Sequence, residues 1–171
     1  MEDIREKIRG QEGKLEELVR KIPGFSGYKD RELRRNADKI QRTYLADELN
    51  RLRVRLKDVG KQWVKLKKLS LVTDLDGVLK KMEKMEDRIR YSDYGYAGFF
   101  DSIKVNEAEL DQVYEFDASL VSNVSVIEEQ IAALSAQTDN PSLSGLEQSV
   151  AALENRYTGR EKVITGVGKA E

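Results

Sequence analysis

The chain has 171 residues, a net charge of −1 and 36% charged residues, and it contains no cysteine and no histidine. Disulfides, thiolate catalysis and cysteine zinc sites are therefore excluded, and the commonest general base and transition-metal ligand is missing. We predict a non-enzymatic protein with no catalytic, metal or cofactor site and no small-molecule substrate. No apolar run is long enough to span a membrane and no signal peptide is evident, so we expect a cytoplasmic protein.

The composition also predicts the fold class. Hydrophobic residues make up 39% of the chain, and only two prolines occur, which favours long helices with much solvated surface. We predict an all-α protein with a single domain over 1–171. The expected architecture is an elongated antiparallel bundle or coiled coil of four to five helices, built on a long helical hairpin.

A first helix is predicted over about residues 2–21. Its apolar positions have helical spacing and are Ile4, Ile8, Leu15, Leu18 and Val19. Pro23 and the glycines after it end this helix, because proline disfavours helical backbone in the residue that precedes it.

The long hairpin is predicted from a heptad-like stripe and a short link. The stripe steps by four and three and comprises Leu45, Leu49, Leu52, Leu56, Val59, Trp63 and Leu66. It lies on a long helix over about 28–69. A helix over about 74–92 follows, with Thr73 as its N-cap, and the short link indicates that the two helices are antiparallel.

Residues 91–100 hold five aromatic side chains and break the helical pattern. We predict an aromatic turn over 91–105 and expect it to meet the Pro23 segment at one end of the hairpin. The candidate aromatic residues of this end are Phe25, Tyr28, Tyr94, Tyr96, Phe99 and Phe100. They either plug the end of the bundle or form an exposed contact for a membrane interface or a protein.

Two further helices are predicted over about 107–137 and 143–164, before a frayed tail at 166–171. Asn106 and Glu109 have the spacing of a capping box at the start of the first. The stripe of the first helix is Leu110, Val113, Asp117, Leu120, Val124, Ile127, Ile131 and Leu134. The stripe of the second is Leu143, Leu146, Val150, Leu153 and Tyr157.

Asp117 is the one charged position in the first of these two stripes. A buried carboxylate is unfavourable unless a cation or hydrogen-bond donors pair with it. We therefore predict either a buried structural ion pair between Asp117 and Arg34 or Arg35, with Arg88 as a further possible partner, or a polar position that sets the register of the helices. The alternative is a functional carboxylate of perturbed pKa in a pocket.

Basic and acidic residues separate along the chain. Residues 1–100 hold 25 basic and 18 acidic side chains, whereas 101–171 hold 5 and 13. The densest basic segment, 51–68, supplies the candidate residues of an anionic-partner strip: Arg51, Arg55, Lys57, Lys61, Lys65, Lys67 and Lys68. Either the acidic C-terminal helices neutralise this strip, or it binds phospholipid, nucleic acid or an acidic protein. Nucleic acid is unfavoured, since the pI is near 5.8.

Three segments resemble an uncharacterised family of prokaryotic all-helical proteins. They are IPGFSGYKDRELRRNADK (22–39), YGYAGFFD (94–101) and LDQVYEFD (110–117), and the resemblance covers roughly residues 15–125. It implies a helical fold and a link to flotillin-like membrane scaffolds, but no activity. The hairpin shape is also similar to that of phage-shock and ESCRT-III-type membrane-remodelling proteins, although the N-terminal lipid-binding helix of those proteins is not evident here.

These features together predict a structural, scaffold or adaptor protein that acts through helical protein–protein contacts or self-association. The alternative is a peripheral membrane protein that binds anionic lipid through the basic helix 51–68. Such a protein would work in a flotillin-like or membrane-stress assembly at the inner face of the membrane.

Overall fold

The computed structural model describes residues 2–92, 99, 105–137 and 139–166. It confirms the all-α class, because the described residues form helices and no strand. The five long helices are α1 (Glu2–Lys21), α2 (Arg34–Lys65), α3 (Leu69–Arg90), α4 (Glu107–Ala136) and α5 (Ser144–Gly166), and a 3-10 turn (Arg31–Leu33) precedes α2.

Four of these helices form a bundle, in which α2 packs against α3 and α4, and α5 packs against α4 and α3. Side-chain bonds between the helices fix their directions. Arg53 on α2 bonds Glu86 on α3, while Arg42, earlier on α2, reaches the end of α3, so this pair is antiparallel. Helices α4 and α5 form a second antiparallel pair, and α1 packs along the outside of α4. Arg51 of α2 bonds Glu128 of α4, and earlier on the same helices Asp38 and Asp117 share Arg160, so α2 and α4 run in the same direction. The turns at 66–68 and 137–143 therefore lie at the same end of the bundle.

The predicted stripes form the core. Every described stripe residue from α2, α4 and α5 is buried except Leu66. Leu66 is 51% exposed because α2 ends at Lys65, one residue before it. Among the described residues, no helix has both the length and the apolar character needed to cross a bilayer.

The hairpin helices differ from their predicted bounds. Helix α2 begins at Arg34 rather than 28, because Gly27 turns the chain at φ 91° and Asp30 caps the 3-10 turn by accepting the Glu32 N–H. Its partner α3 begins at Leu69 rather than 74. The predicted N-cap, Thr73, is wrong: its hydroxyl lies inside α3 and donates to the Leu69 carbonyl.

The first and last residues of α4 and α5 agree with the predicted bounds to within two residues. The capping box at the start of α4 is confirmed, since the Asn106 and Glu109 side chains each accept the other's backbone N–H. Residues 93–98 and 100–104 lie outside the described part of the chain, as do 167–171. The predicted meeting of the aromatic turn with the Pro23 segment therefore stays a prediction.

Candidate functional site

A cluster of charged residues lies inside the bundle, where the sequence predicted a single ion pair. The cluster, called the buried ion cluster below, consists of Tyr28, Asp38, Arg42, Asp117 and Arg160. It joins the segment before α2 with α2, α4 and α5. All five side chains are buried, so the cluster faces other parts of the protein and not solvent.

Arg160 is the centre of the buried ion cluster. Its Nε donates to Asp117 Oδ1 at 2.6 Å, and its Nη2 donates to Asp38 Oδ1 at 2.7 Å. The same Nη2 donates to the Tyr28 hydroxyl at 3.1 Å, and that hydroxyl donates to Asp117 Oδ2 at 2.5 Å. One guanidinium therefore connects three other segments of the fold.

Arg42 extends the buried ion cluster to the end of α3. Its Nε donates to Asp38 Oδ2 at 2.8 Å, and its Nη1 donates to the backbone carbonyls of Ile89 and Arg90, both at 3.1 Å. Two buried arginines thus balance two buried carboxylates. Each buried charge has an opposite charge beside it, although Arg160 Nη1 is buried without a hydrogen-bond partner in the described part of the chain.

Burial has the largest effect on the pKa values of Tyr28 and Asp117 in the cluster. The pKa of the Tyr28 hydroxyl is raised well above 10.0, first by burial and then by the neighbouring Asp117 carboxylate. Burial also raises the pKa of Asp117, while Arg160 and the Tyr28 hydrogen bond oppose that effect. With charges balanced and solvent excluded, the cluster is suited to fixing how the helices pack and not to chemistry on a substrate.

The structure places Asp117 in a buried ion pair, but the predicted partners are incorrect. Arg34 donates instead to the Tyr28 carbonyl at 2.7 Å, and Arg35 is exposed at the surface of α2. Arg88 bonds Glu161 at 2.6 Å. The true partner, Arg160, was missed although it lies on the neighbouring antiparallel helix, at a distance from the 137–143 turn similar to that of Asp117.

The first two residues of the basic strip, Arg51 and Arg55, are neutralised by acidic side chains of the same chain. Arg51 and Arg55 both donate to Glu128 Oε1 at 3.1 Å, and Arg51 also pairs with Glu48 at 2.7 Å. These contacts lower the pKa of Glu128, chiefly through the Arg51 hydrogen bond. Glu128 belongs to the acidic α4. For Arg51 and Arg55, the prediction that the acidic C-terminal helices neutralise the strip is therefore correct.

The lysines of the strip, which follow Arg55, have few acidic neighbours. We call residues 57–72 the hairpin tip; it covers the end of α2, the turn and the start of α3. It contains five lysines and a single acidic residue, Asp58. Lys61 pairs with Asp58 at 3.5 Å on the exposed surface, where such a pair is weak. Within the described part of the chain, Lys57, Lys65 and Lys67 form no ion pair and are exposed.

The hairpin tip also exposes large apolar side chains. Val64 and Leu66 are each 51% exposed and Leu69 is 63% exposed. A tight turn brings the chain from Val64 and Leu66 to Leu69: Lys67 has a positive φ of 59°, and the Lys67 and Lys68 amides donate back to the carbonyls of Val64 and Trp63. Three apolar side chains thus sit among lysines at one end of the bundle.

The neighbouring turn at the same end contributes little opposing charge. Residues 137–143 include one charged side chain, Asp139, which is exposed. Pro141 and Leu143 of this turn are buried against the bundle. The end of the molecule therefore combines exposed lysines with exposed apolar side chains, while the acidic side chains of Asp74 and Asp76 are exposed on α3, level with Gly60 of α2.

The predicted aromatic contact is not part of this surface. Phe25, Tyr28 and Phe99 are buried in the core, and the rings of Phe25 and Tyr28 meet edge to face with centroids 5.5 Å apart. An exposed contact through these three residues is therefore excluded. Tyr94, Tyr96 and Phe100 lie outside the described residues.

No protein-family model, curated protein or solved structure matches this chain. The resemblance to a prokaryotic helical family accordingly stays a prediction.

Proposed function

We propose that this protein is a non-enzymatic scaffold or adaptor that docks onto an anionic partner through the hairpin tip. The observation that carries the proposal is the contrast within the basic strip. Arg51 and Arg55 are bonded to Glu128, whereas Lys57, Lys65 and Lys67 project from the surface without an acidic partner in the described structure.

The predicted apolar stripes are not available to a partner, which favours docking through an exposed surface. The apolar positions of α2, α4 and α5 are already buried against one another within a single chain. A second copy or a partner helix would have to displace these contacts in order to use them. Self-association through the stripes is thus unfavoured, and the exposed tip is the better candidate surface.

The bundle is suited to presenting this surface at a distance. Helix α2 has 32 residues, which corresponds to about 48 Å at 1.5 Å per residue. The buried ion cluster lies near the opposite end from the tip and ties the segment before α2 to three helices. A long, internally bonded bundle with one charged end is the geometry of a spacer or adaptor.

The proposal is tested by the binding of poly-L-glutamate, a simple acidic polymer, measured by biolayer interferometry at pH 7. We expect binding at low salt that weakens as salt rises, because screening acts on exposed charges. The triple variant Lys57→Gln, Lys65→Gln, Lys67→Gln should lose most of this binding.

A matched control keeps the change in net charge equal. The variant Lys39→Gln, Lys81→Gln, Lys84→Gln also removes three exposed lysines, but from outside the tip. It should bind poly-L-glutamate nearly as well as the original protein. Equal losses in both triple variants, or no salt-sensitive binding at all, would overturn the proposal.

A further inference from the structure

We infer that the anionic partner of the hairpin tip is the surface of a lipid bilayer, an inference that rests on the function proposed above. The tip combines two features that a bilayer interface recognises together. Lysines attract anionic headgroups, and apolar side chains enter the boundary between headgroups and acyl chains.

The arrangement of the residues fits such an interface. Leu66 begins the turn at 66–68 and Leu69 follows it, at the point where the hairpin reverses direction. Lys65 and Lys67 adjoin Leu66 on either side. A long lysine side chain can keep its ammonium group at the headgroups while the apolar neighbour lies deeper. The tip therefore places apolar groups at its end and cations around them.

The same features disfavour other anionic partners. A second copy of the chain that docks tip to tip would bring two lysine-rich tips together, and their like charges would repel. Nucleic acid would engage the lysines, but it has no need of the exposed leucines, since non-specific binding rests on phosphate contacts. A bilayer uses both sets of side chains.

The inference is tested by flotation of the purified full chain with vesicles of phosphatidylglycerol and of phosphatidylcholine. We expect flotation with phosphatidylglycerol and none with phosphatidylcholine. Raising NaCl from about 50 mM to about 500 mM should weaken the binding, because the Debye length falls well below 10 Å.

Two sets of variants separate charge from insertion. The triple lysine variant at 57, 65 and 67 should lower partitioning about twenty-five-fold, at about fivefold each for Lys65 and Lys67, because Lys57 lies about 13 Å back along α2 and contributes little. The double variant Leu66→Asn, Leu69→Asn keeps all the charge and should lower partitioning about tenfold, because its side chains no longer enter the apolar boundary. Circular dichroism would verify that each variant keeps its helices.

A matched control tests the apolar part. Val54 and Val126 are exposed apolar residues outside the tip, so the double variant Val54→Asn, Val126→Asn should float like the original protein.

The outcomes distinguish this inference from the function on which it rests. Poly-L-glutamate binding without flotation would overturn the bilayer inference and leave an adaptor for an acidic protein. Flotation that is unaffected by the leucine substitutions would overturn the insertion of the apolar side chains into the bilayer, because charge alone would then explain binding. Failure to bind poly-L-glutamate in a salt-sensitive way would overturn the proposed function itself, whatever the result of flotation.

Discussion

The Arg160 Nε donates to Asp117 Oδ1 at 2.6 Å, and both side chains are fully buried. This bond joins α4 to α5, and Arg160 carries the connection on to Asp38 of α2. Removing Asp117 leaves two buried arginines, Arg42 and Arg160, that share Asp38 as their one buried carboxylate partner among the described residues. We expect Asp117→Ala to lower the free energy of unfolding by about 3–5 kcal/mol, measured by urea denaturation and circular dichroism.

The double variant Asp117→Leu, Arg160→Met is the informative companion, because it removes both charges together and leaves Asp38 with Arg42. It should recover much of the stability lost in Asp117→Ala. A single variant within about 0.5 kcal/mol of the original protein would show that the buried pair has no structural role.

The Tyr28 hydroxyl is predicted to stabilise the fold at neutral pH. It donates to Asp117 and accepts from Arg160, and a phenyl ring can do neither. Tyr28→Phe should therefore lower the free energy of unfolding by about 1–2 kcal/mol at pH 7. Tyr91→Phe is the control, since Tyr91 is 71% exposed and its substitution should leave the urea midpoint unchanged.

The raised pKa of Tyr28 predicts a loss of stability at alkaline pH. In the unfolded chain this hydroxyl ionises near its ordinary pKa of 10.0, whereas burial keeps it protonated in the folded bundle. Its contribution is therefore present below pH 10 and is lost as pH rises further, by up to about 1.4 kcal/mol per pH unit. Urea denaturation between pH 9 and 11 should show a shallower decline for Tyr28→Phe than for the original protein. Identical slopes would contradict the burial of this hydroxyl.

Two glycines should respond in opposite directions to the same substitution. Gly27 has a φ of 91°, and a Cβ there would lie 2.7 Å from the Tyr114 hydroxyl. Gly77 lies within α3, where a Cβ would meet no atom of a neighbouring group within 4 Å. Thermal unfolding should show a lower midpoint for Gly27→Ala and a higher midpoint for Gly77→Ala. The rise for Gly77→Ala corresponds to a gain of about 0.5–1 kcal/mol in the free energy of unfolding. The same sign of change in both variants would contradict the geometry of the link before α2.

The contacts of Glu128 make a prediction for titration. Hydrogen bonds from Arg51 and Arg55 hold the pKa of this carboxyl below its ordinary value of 4.5. Carboxyl-selective carbon NMR should show this pKa rising toward 4.5 in Arg51→Gln. The stabilising contribution is present above pH 4.5 and is lost as pH falls through the lowered pKa. An unchanged titration in Arg51→Gln would show that this part of the strip is not neutralised by Glu128.

The helices were predictable because apolar periodicity records which side of each helix is buried. The stripes of α4 and α5 are buried throughout, and so is the stripe of α2 from Leu45 to Trp63. Helix ends were less predictable. Thr73 suits an N-cap, yet α3 begins five residues before the predicted start at 74 and has no side-chain cap, because the tight turn after Lys65 already reverses the chain.

The long-range partners could not be read from one sequence. The stripe identified Asp117 as buried, but its partner depends on how α5 aligns with α4 across the 137–143 turn. From the sequence alone, the basic segment 51–68 was likewise predicted to be one continuous strip of positive charge. Only the packing of α4 beside α2 separates Arg51 and Arg55, which meet Glu128, from the lysines of the hairpin tip.

The most direct test of tip docking uses the absence of native cysteines, which makes a single introduced thiol the unique labelling site. Ser70 lies exposed in the hairpin tip, and Asn36 lies exposed near the opposite end of α2. An environment-sensitive fluorophore would be attached to Ser70→Cys or to Asn36→Cys, and its emission recorded as phosphatidylglycerol vesicles are added. A blue shift at position 70 with no change at 36 is the predicted result. Equal shifts at both positions, or a shift at 36 alone, would contradict docking through the tip.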